Sequence, residues 1–250
     1  MIASGRHILH FAPDEKHHSM EAQKRWYAET LPLRDAPLVV DVGANVGELS
    51  EFFFAQIPAA ARVLSIEPLA ENVAQIEQRI ARAHAAERWQ VRQCAVSEQD
   101  GEVSLRIGSS EGTAHNSFVI PEAVQPGTGR VIRVPAYTLS ALAKHARIIK
   151  LDIEGHEYPV LAESLVKLSE VHAWAIELHM VAGQSLAATV RSFLRAGYRV
   201  LGAGQKRGDT SGRWMSLEVP EGMEWDSVPV AQRRPDGSAF KMLHVIALRR

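Results

Sequence analysis

Short apolar runs alternate with amphipathic stretches along the chain from Leu38 onward. The run from Leu38 to Val42 is apolar at all but one position, which is typical of a strand covered on both faces of a sheet. The stretch after Gly47 instead places Leu49, Phe52 and Phe53 at helical spacing. This alternation predicts an α/β fold, with a mostly parallel sheet between helices on both faces.

The main sheet is predicted to contain seven strands, at residues 38–42, 62–66, 89–96, 148–153, 171–178, 198–203 and 241–248. The last of these follows a long segment without a regular pattern, and we expect this strand to run antiparallel to the others. Shorter alternating runs at 102–107, 116–120 and 131–134 predict short strands at the rim of the sheet.

Two segments lie outside this pattern. Residues 1–36 are mostly polar and include one helix-like stretch, so they predict an N-terminal helical appendage to a domain that spans 37–250. The segment 204–240 is rich in glycine, proline and charge, and it carries Trp214 and Trp225. Because loops of this length in compact domains are usually functional, we expect both segments to cover a ligand pocket.

The charge balance and the cysteine content exclude several classes of protein. Lys and Arg total 28 against 29 Asp and Glu, without a long basic run, so no nucleic-acid partner is expected. The single cysteine, Cys94, cannot form an internal disulfide and is expected in the core, which indicates a reducing, cytoplasmic compartment. No run of about 18 apolar residues occurs, so we expect a soluble protein without a membrane partner. The composition is compatible with a homo-oligomer.

A glycine turn joins the first predicted strand to the helix that follows it. The sequence there is Val-Val-Asp41-Val-Gly43-Ala-Asn45-Val-Gly47-Glu. Glycines at this spacing let the backbone turn sharply and let a ligand come close, and the helix start offers free N–H groups. The carboxylate of Asp41 would repel a pyrophosphate and attract a cationic amine. The turn is therefore predicted to bind S-adenosylmethionine through Asp41, Gly43, Asn45 and Gly47.

A second acid is expected at the tip of the neighbouring strand. Glu67 follows the second predicted strand, and a carboxylate there can accept hydrogen bonds from both hydroxyls of a ribose. Ala95, near the end of the third strand, is expected beside the adenine. A nicotinamide-dependent oxidoreductase shares the strand, turn and acid, but its G-x-G-x-x-G spacing is missing here. An NAD-dependent oxidoreductase and a binding module of the same fold without turnover are the alternative functions.

The fourth predicted strand runs into the sequence Ile-Ile-Lys150-Leu-Asp152-Ile-Glu154-Gly-His156-Glu157. With the glycine turn and the Ile-Glu-Pro run at Glu67, this sequence resembles the FkbM family of S-adenosylmethionine-dependent methyltransferases, whose signature is similar to K-[IL]-D-[IV]-E-G-x-E. The likeness extends from Leu38 to His179 and includes the segment Val134 to Leu139.

The resemblance implies a Rossmann-like, seven-stranded class I methyltransferase sheet. It also implies that a methyl group is transferred to a hydroxyl of a small molecule, such as a sugar or an alicyclic or polyketide-type natural product. The expected partner is therefore a small hydroxylated acceptor. An N-P-P-[YF] motif is missing after the fourth strand, which argues against methylation of nucleic-acid bases.

Polar side chains after the predicted strands are the candidates for the chemistry. The carboxyl ends of parallel strands meet at one edge of the sheet, so we expect one crevice to be faced by Asp41, Glu67, Asp152, Glu154, Glu177 and His179. Asp152 and Glu154 are predicted to deprotonate and orient the acceptor hydroxyl. His156 is a further catalytic candidate, and His179 is another candidate base. Glu157 is either a further polar group of the site or a first-turn acid favoured by the helix dipole.

A divalent metal ion is the alternative means of activating the hydroxyl. Asp152, Glu177 and His179 could converge on Mg²⁺, an ion that prefers oxygen ligands and lowers the pKa of a bound hydroxyl. The family signature does not require such an ion, and Glu177 and His179 alternate with apolar residues, as on one face of a strand. S-adenosylmethionine is therefore the expected cofactor, with Mg²⁺ as the less favoured addition.

Overall fold

The computed structural model describes residues 20–107, 117–120, 130–179, 181, 183–203, 214–216 and 242–249. The helices are α1 (Met20–Thr30), α2 (Glu48–Gln56), α3 (Ala70–Arg82), α4 (Leu139–Leu142), α5 (Glu157–Lys167) and α6 (Leu186–Arg195). The strands are β1 (Leu38–Val42), β2 (Arg62–Glu67), β3 (Trp89–Gln93), β4 (Ala95–Ser97), β5 (Gly101–Ile107), β6 (Ser117–Ile120), β7 (Arg130–Thr138), β8 (Ile148–Leu151), β9 (Ala173–His179), β10 (Tyr198–Ala203), β11 (Trp214–Ser216) and β12 (Met242–Arg249).

The main sheet has the strand order β11-β10-β12-β9-β8-β1-β2-β3. Neighbours from β9 to β3 pair in parallel, whereas β12 is antiparallel to both β9 and β10. This arrangement confirms the seven predicted strands and the antiparallel direction of the last one. An eighth strand, β11, extends the edge of the sheet beside β10 and contains Trp214, which the sequence analysis assigned to a long loop.

The predicted third strand, 89–96, is divided between two sheets. Its first part, β3, pairs with β2 as far as Gln93, and the chain then leaves the main sheet at the buried Cys94. Its last residues begin β4, which pairs in parallel with β7 from Ala95 onward. The second sheet has the order β4-β7-β5-β6, so the strands predicted at the rim form a four-stranded sheet of their own. The sequence pattern did not separate the two parts because only Cys94 lies between them in the chain.

Helices cover both faces of the main sheet because successive strand residues point to opposite sides. Val40 and Ile149 face a core that includes Phe193 of α6, while Val39 and Ile148 face a second core with α2 and α3. Among the described helices, none has both the length and the apolar character that a bilayer crossing requires.

Helix α1 contributes to the second core through its aromatic side chains. Tyr27 is only 2% exposed and stacks on Phe53 of α2, with ring centroids 5.8 Å apart. Leu31 and Leu33, which follow in the chain, are buried in the same cluster. The division of the chain at residue 36 stays a prediction, but α1 packs into the core next to the sheet.

We expect Tyr27→Ala to lower the free energy of unfolding by about 3 kcal/mol, because truncating a buried aromatic side chain leaves a cavity. Urea denaturation followed by circular dichroism measures the change, with Glu29→Ala as the matched control because Glu29 lies exposed on the same helix. Equal stability of the two variants would contradict the placement of α1 in the core.

Candidate functional site

A cavity of about 270 Å³ lies at the carboxyl ends of β1, β2 and β8. Its lining consists of residues 20, 23, 42–46, 48, 49, 66–68, 94–96, 105, 150 and 152–154. It therefore brings together most of the predicted site residues, namely Gly43, Asn45, Glu67, Ala95, Asp152 and Glu154. The described lining does not include the other predicted residues, which are Asp41, Gly47, His156, Glu177 and His179.

The glycines of the turn serve close packing within the protein. Gly43 has φ +70°, and a Cβ there would lie 1.7 Å from the carbonyl oxygen of Asp152. Gly47 has φ +84°, and a Cβ there would lie 2.9 Å from a side-chain carbon of Ile76. Both glycines were predicted to allow a sharp backbone turn and the close approach of a ligand. The atoms that a Cβ would meet belong to the loop after β8 and to α3, because both elements pack directly on the turn.

Glu67 holds the glycine turn from the next strand. Its Oε2 accepts a hydrogen bond from the backbone N–H of Asn45 at 2.9 Å, and its Oε1 accepts from Leu69 N and Asn72 Nδ2, each at 3.1 Å. Burial raises the pKa of Glu67 to about 7, although these hydrogen bonds lower it. Because a carboxylate oxygen can accept two hydrogen bonds, Oε2 retains capacity for a ligand hydroxyl.

Asp41 points into the protein core, which corrects the expectation that it faces the crevice. Its side chain is fully buried, and its Oδ2 accepts a hydrogen bond from Ser50 Oγ at 2.6 Å. Ser50 Oγ accepts in turn from Ser65 Oγ, which accepts from the indole N–H of Trp89. A direct contact between Asp41 and the amine of a cofactor is therefore not supported, because the strand pleat turns this side chain toward α2.

Lys150 joins the two sides of the site and was missed as a site residue by the sequence analysis. Its Nζ lies 2.9 Å from the carbonyl oxygen of Gly43, 3.3 Å from Asp41 Oδ1 and 3.6 Å from Asp152 Oδ2. Burial lowers the pKa of the Lys150 ammonium, but Asp41 and Asp152 raise it to a net value above the usual range. The sequence did contain a signal for this role, because a lysine within the most apolar strand requires partners for its buried charge.

Asp152 presents a partly unsatisfied carboxylate to the cavity. Its Oδ1 is buried and accepts no hydrogen bond from the described part of the chain. Burial raises the pKa of Asp152, Lys150 lowers it and the nearby Glu154 raises it, with a net increase over its usual value. This carboxyl group therefore binds a proton more readily than an exposed aspartate does.

Glu154 follows in the same loop and contacts His179. Its backbone has φ +57°, in the left-handed region, and its Oε2 lies 3.3 Å from His179 Nε2. The other ring nitrogen, Nδ1, is 3.0 Å from Oε1 of the buried Glu157. Burial lowers the pKa of His179, but the hydrogen bonds to Glu154 and Glu157 raise it to about 10. His179 is therefore protonated near neutral pH and does not fit the role of a base.

The ring of His156 lies outside the described cavity lining. His156 precedes α5, and its Nε2 is 2.9 Å from Glu98 Oε2 and 3.4 Å from Ser97 Oγ, beside β4. The catalytic role predicted for His156 is therefore not supported by its position. Glu177 is also outside the described cavity lining, and its Oε2 lies 3.6 Å from His244 Nε2. Burial and, to a smaller extent, the charge of Asp152 raise the pKa of Glu177 to about 8.

The candidate metal donors differ from the predicted set. Ligand atoms of Asp152, Glu154 and His179 lie within 4.8 Å of one another. The predicted set of donors contained Glu177 instead of Glu154. Mg²⁺ prefers an octahedral set of oxygen ligands, whereas this group offers two carboxylates and one imidazole whose two nitrogens already face carboxylate oxygens. The described residues therefore do not fit a Mg²⁺ site in this arrangement. Trp225 and most of the segment 204–240 lie outside the described residues.

Comparisons with known proteins place the chain in a family. Residues 41–200 match the methyltransferase FkbM domain. No curated protein matches the sequence.

Several solved structures have a similar fold. The precorrin-6y C5,15-methyltransferase of Geobacter metallireducens has a TM-score of 0.48 at 12% identity, over 96% of this chain and 93% of that one. Streptococcus pneumoniae Sp1610 in complex with S-adenosyl-L-methionine has a TM-score of 0.44 at 11% identity, over 91% and 72%. A methyltransferase from Geobacter sulfurreducens has a TM-score of 0.45 at 12% identity, over 90% and 78%. At such identities the likeness concerns the fold alone.

The domain match covers more than half of the chain and contains both the glycine turn and the Lys150-to-Glu157 run. The chain therefore belongs to the FkbM family of methyltransferases.

Proposed function

We propose that this protein transfers the methyl group of S-adenosylmethionine to a hydroxyl group of a small molecule, such as a sugar or an alicyclic or polyketide-type natural product. The observation that carries the proposal is the Asp152 carboxylate. One of its oxygens lacks a hydrogen-bond partner among the described residues, and the side chain lines the same cavity as the glycine turn and Glu67.

The half of the cavity formed by β1, β2 and the chain at Ala95 suits the cofactor. Gly43 and Asn45 line the cavity just before the start of α2, Glu67 has capacity for a ribose hydroxyl, and Ala95 lines the same cavity. Asp41 supports this half indirectly, because it fixes Lys150, which in turn binds the carbonyl oxygen of Gly43. Bound S-adenosylmethionine supplies an electrophilic methyl group on a sulfonium.

The loop after β8 suits the acceptor. Asp152 takes the proton of the acceptor hydroxyl while the oxygen lone pair forms the bond to the methyl carbon and the carbon–sulfur bond breaks, leaving S-adenosylhomocysteine. A base in this role contributes roughly 100- to 10,000-fold, and orientation of the acceptor contributes more. The raised pKa of Asp152 brings it closer to the value that favours proton transfer near neutral pH. Glu154, which also lines the cavity, is the second acceptor for hydrogen bonds of the substrate.

We expect Asp152→Asn to lower kcat by roughly two to four orders of magnitude, because the amide cannot take up the proton. The affinity for S-adenosylhomocysteine should stay close to that of the original protein. In the original protein, kcat should fall as the pH decreases through the raised pKa of Asp152, above the range of an exposed aspartate, because the base becomes protonated. Rates are measured with a panel of hydroxylated acceptors.

Asp35→Asn is the matched control for this change, because Asp35 is exposed and lies outside the described cavity lining. Turnover near the original rate in Asp152→Asn would contradict the assignment of the base.

We expect Glu67→Ala to weaken the binding of S-adenosylhomocysteine by about tenfold to over a hundredfold, the equivalent of roughly 1.5 to 3 kcal/mol for a hydrogen bond to a charged group. Isothermal titration calorimetry gives the affinity, and circular dichroism checks the fold. In thermal-shift titrations the original protein should be stabilised by S-adenosylhomocysteine and not by NAD. Stabilisation by NAD alone would favour the oxidoreductase alternative, and unchanged affinity in Glu67→Ala would remove Glu67 from the cofactor site.

We expect Gln23→Ala to raise the KM of the acceptor and to leave cofactor affinity nearly unchanged, since Gln23 and Met20 of α1 line the cavity but lie outside the glycine turn and the loop after β8. A point variant is preferable to deletion of the N-terminal residues, because Tyr27 of the same helix is buried. Arg25→Ala is the control on the exposed side of α1. Equal changes in both constants would argue against a role of α1 at the acceptor.

A further inference from the structure

The buried Glu157 fixes the loop that carries Glu154. Its side chain is fully buried, and its Oε1 accepts hydrogen bonds from the backbone N–H groups of Ile153 at 3.1 Å and of Gly155 at 3.0 Å. These residues flank Glu154, whose φ of +57° is a left-handed conformation that is strained in a residue other than glycine. The two bonds stabilise this conformation. Glu157 is therefore more than an acid in the first turn of α5.

The same oxygen of Glu157 also contacts His179 Nδ1, at 3.0 Å. The opposite nitrogen, Nε2, lies 3.3 Å from Glu154 Oε2. A carboxylate only accepts hydrogen bonds, so a ring that bonds to both acids donates from both nitrogens. The arrangement is a chain in which Glu157 orients the imidazolium and the imidazolium orients Glu154 at the edge of the cavity.

The charges around the ring are consistent with an imidazolium. The groups that face it are Glu157 from α5, Asp152 and Glu154 from the loop after β8, and Glu177 on its own strand. Glu177 in turn lies 3.6 Å from His244 Nε2 of β12. The Tyr27 hydroxyl of α1, which accepts a hydrogen bond from Gln23, interacts electrostatically with Asp152 and Glu177. The ammonium of Lys150 is shared between Asp41 and Asp152. Even with Glu177 left out because of its raised pKa, Glu157, Asp152 and Glu154 face the ring, and a positive charge between Glu157 and Glu154 is favoured.

We propose that Glu157 and His179 are positioning residues, which hold Glu154 in place to accept a hydrogen bond from the acceptor. This inference rests on the proposed function and deepens it. In this role the His179 ring orients Glu154 beside Asp152, which a divalent cation bound to both carboxylates would do in a metal site. A metal site would use the same side chains differently, since Glu157 would orient a neutral ring whose unprotonated Nε2 binds the ion.

The state of the His179 ring is measured directly by ¹⁵N NMR on protein labelled at histidine, with His179→Gln to assign the signal. We expect both ring nitrogens to carry protons at neutral pH, and we expect Mn²⁺ to leave the signal unbroadened. A neutral ring, together with Mn²⁺ broadening that disappears in Glu154→Gln, would overturn the proposal in favour of a metal site. This measurement does not depend on the identity of the acceptor.

The positioning role is tested by kinetics in Glu157→Gln and His179→Gln. We expect kcat to fall by up to about a hundredfold in each, because misplacement of an orienting group by about 1 Å has that effect. The affinity for S-adenosylhomocysteine should remain within about twofold, since Glu157 and His179 lie outside the described cavity lining.

His172→Gln is the matched control, because His172 is exposed near the start of β9 and contacts Arg147. Unchanged kcat in His179→Gln would overturn the positioning role. If the original protein does not bind S-adenosylhomocysteine, that result would instead count against the proposed function. The protonation state of His179 from NMR would remain a separate finding. If Glu157→Gln does not fold, His179→Gln and the NMR signal still decide the question.

Discussion

The buried ammonium group of Lys150 is the interaction on which the site depends. It lies 3.3 Å from Asp41 Oδ1 on β1 and 3.6 Å from Asp152 Oδ2 after β8, and it donates to the carbonyl oxygen of Gly43. Removing one partner from such a group leaves an uncompensated buried charge, which is strongly destabilising. The glycine turn after β1 and the loop after β8 are therefore linked by one buried cation, in addition to the pairing of the two strands.

Backbone contacts make the same connection rigid. The N–H of Asp152 donates to the carbonyl oxygen of Val42 at 3.2 Å, and the carbonyl oxygen of Asp152 occupies the space beside Gly43 that a Cβ would need. The glycine turn thus serves the contact between two loops as much as the approach of a ligand. A methyl donor on one loop and an acceptor on the other would be held in a defined relation, which an in-line displacement requires.

Electrostatics divide the site into two parts. Glu67 holds the glycine turn by accepting hydrogen bonds from backbone N–H groups, including that of Asn45. In the loop after β8, Asp152 lies beside the ammonium of Lys150, and Glu154 lies beside the imidazole ring of His179. In the proposed reaction, this pairing separates the roles of the two acids, because Asp152 retains an oxygen without a described partner whereas Glu154 is oriented by His179.

The sequence by itself determined the order of strands and helices and the motif residues around the cavity. Apolar runs identify the strands, and residues that follow parallel strands meet at one edge whatever the details of packing, so Gly43, Glu67 and Asp152 were found together. Tertiary structure decided where the side chains point. Asp41 of β1 contacts Lys150 of β8, which is distant in the sequence. His179 at the end of β9 contacts Glu157 at the start of α5. Such contacts depend on strand pairing and register, which the local sequence pattern does not contain.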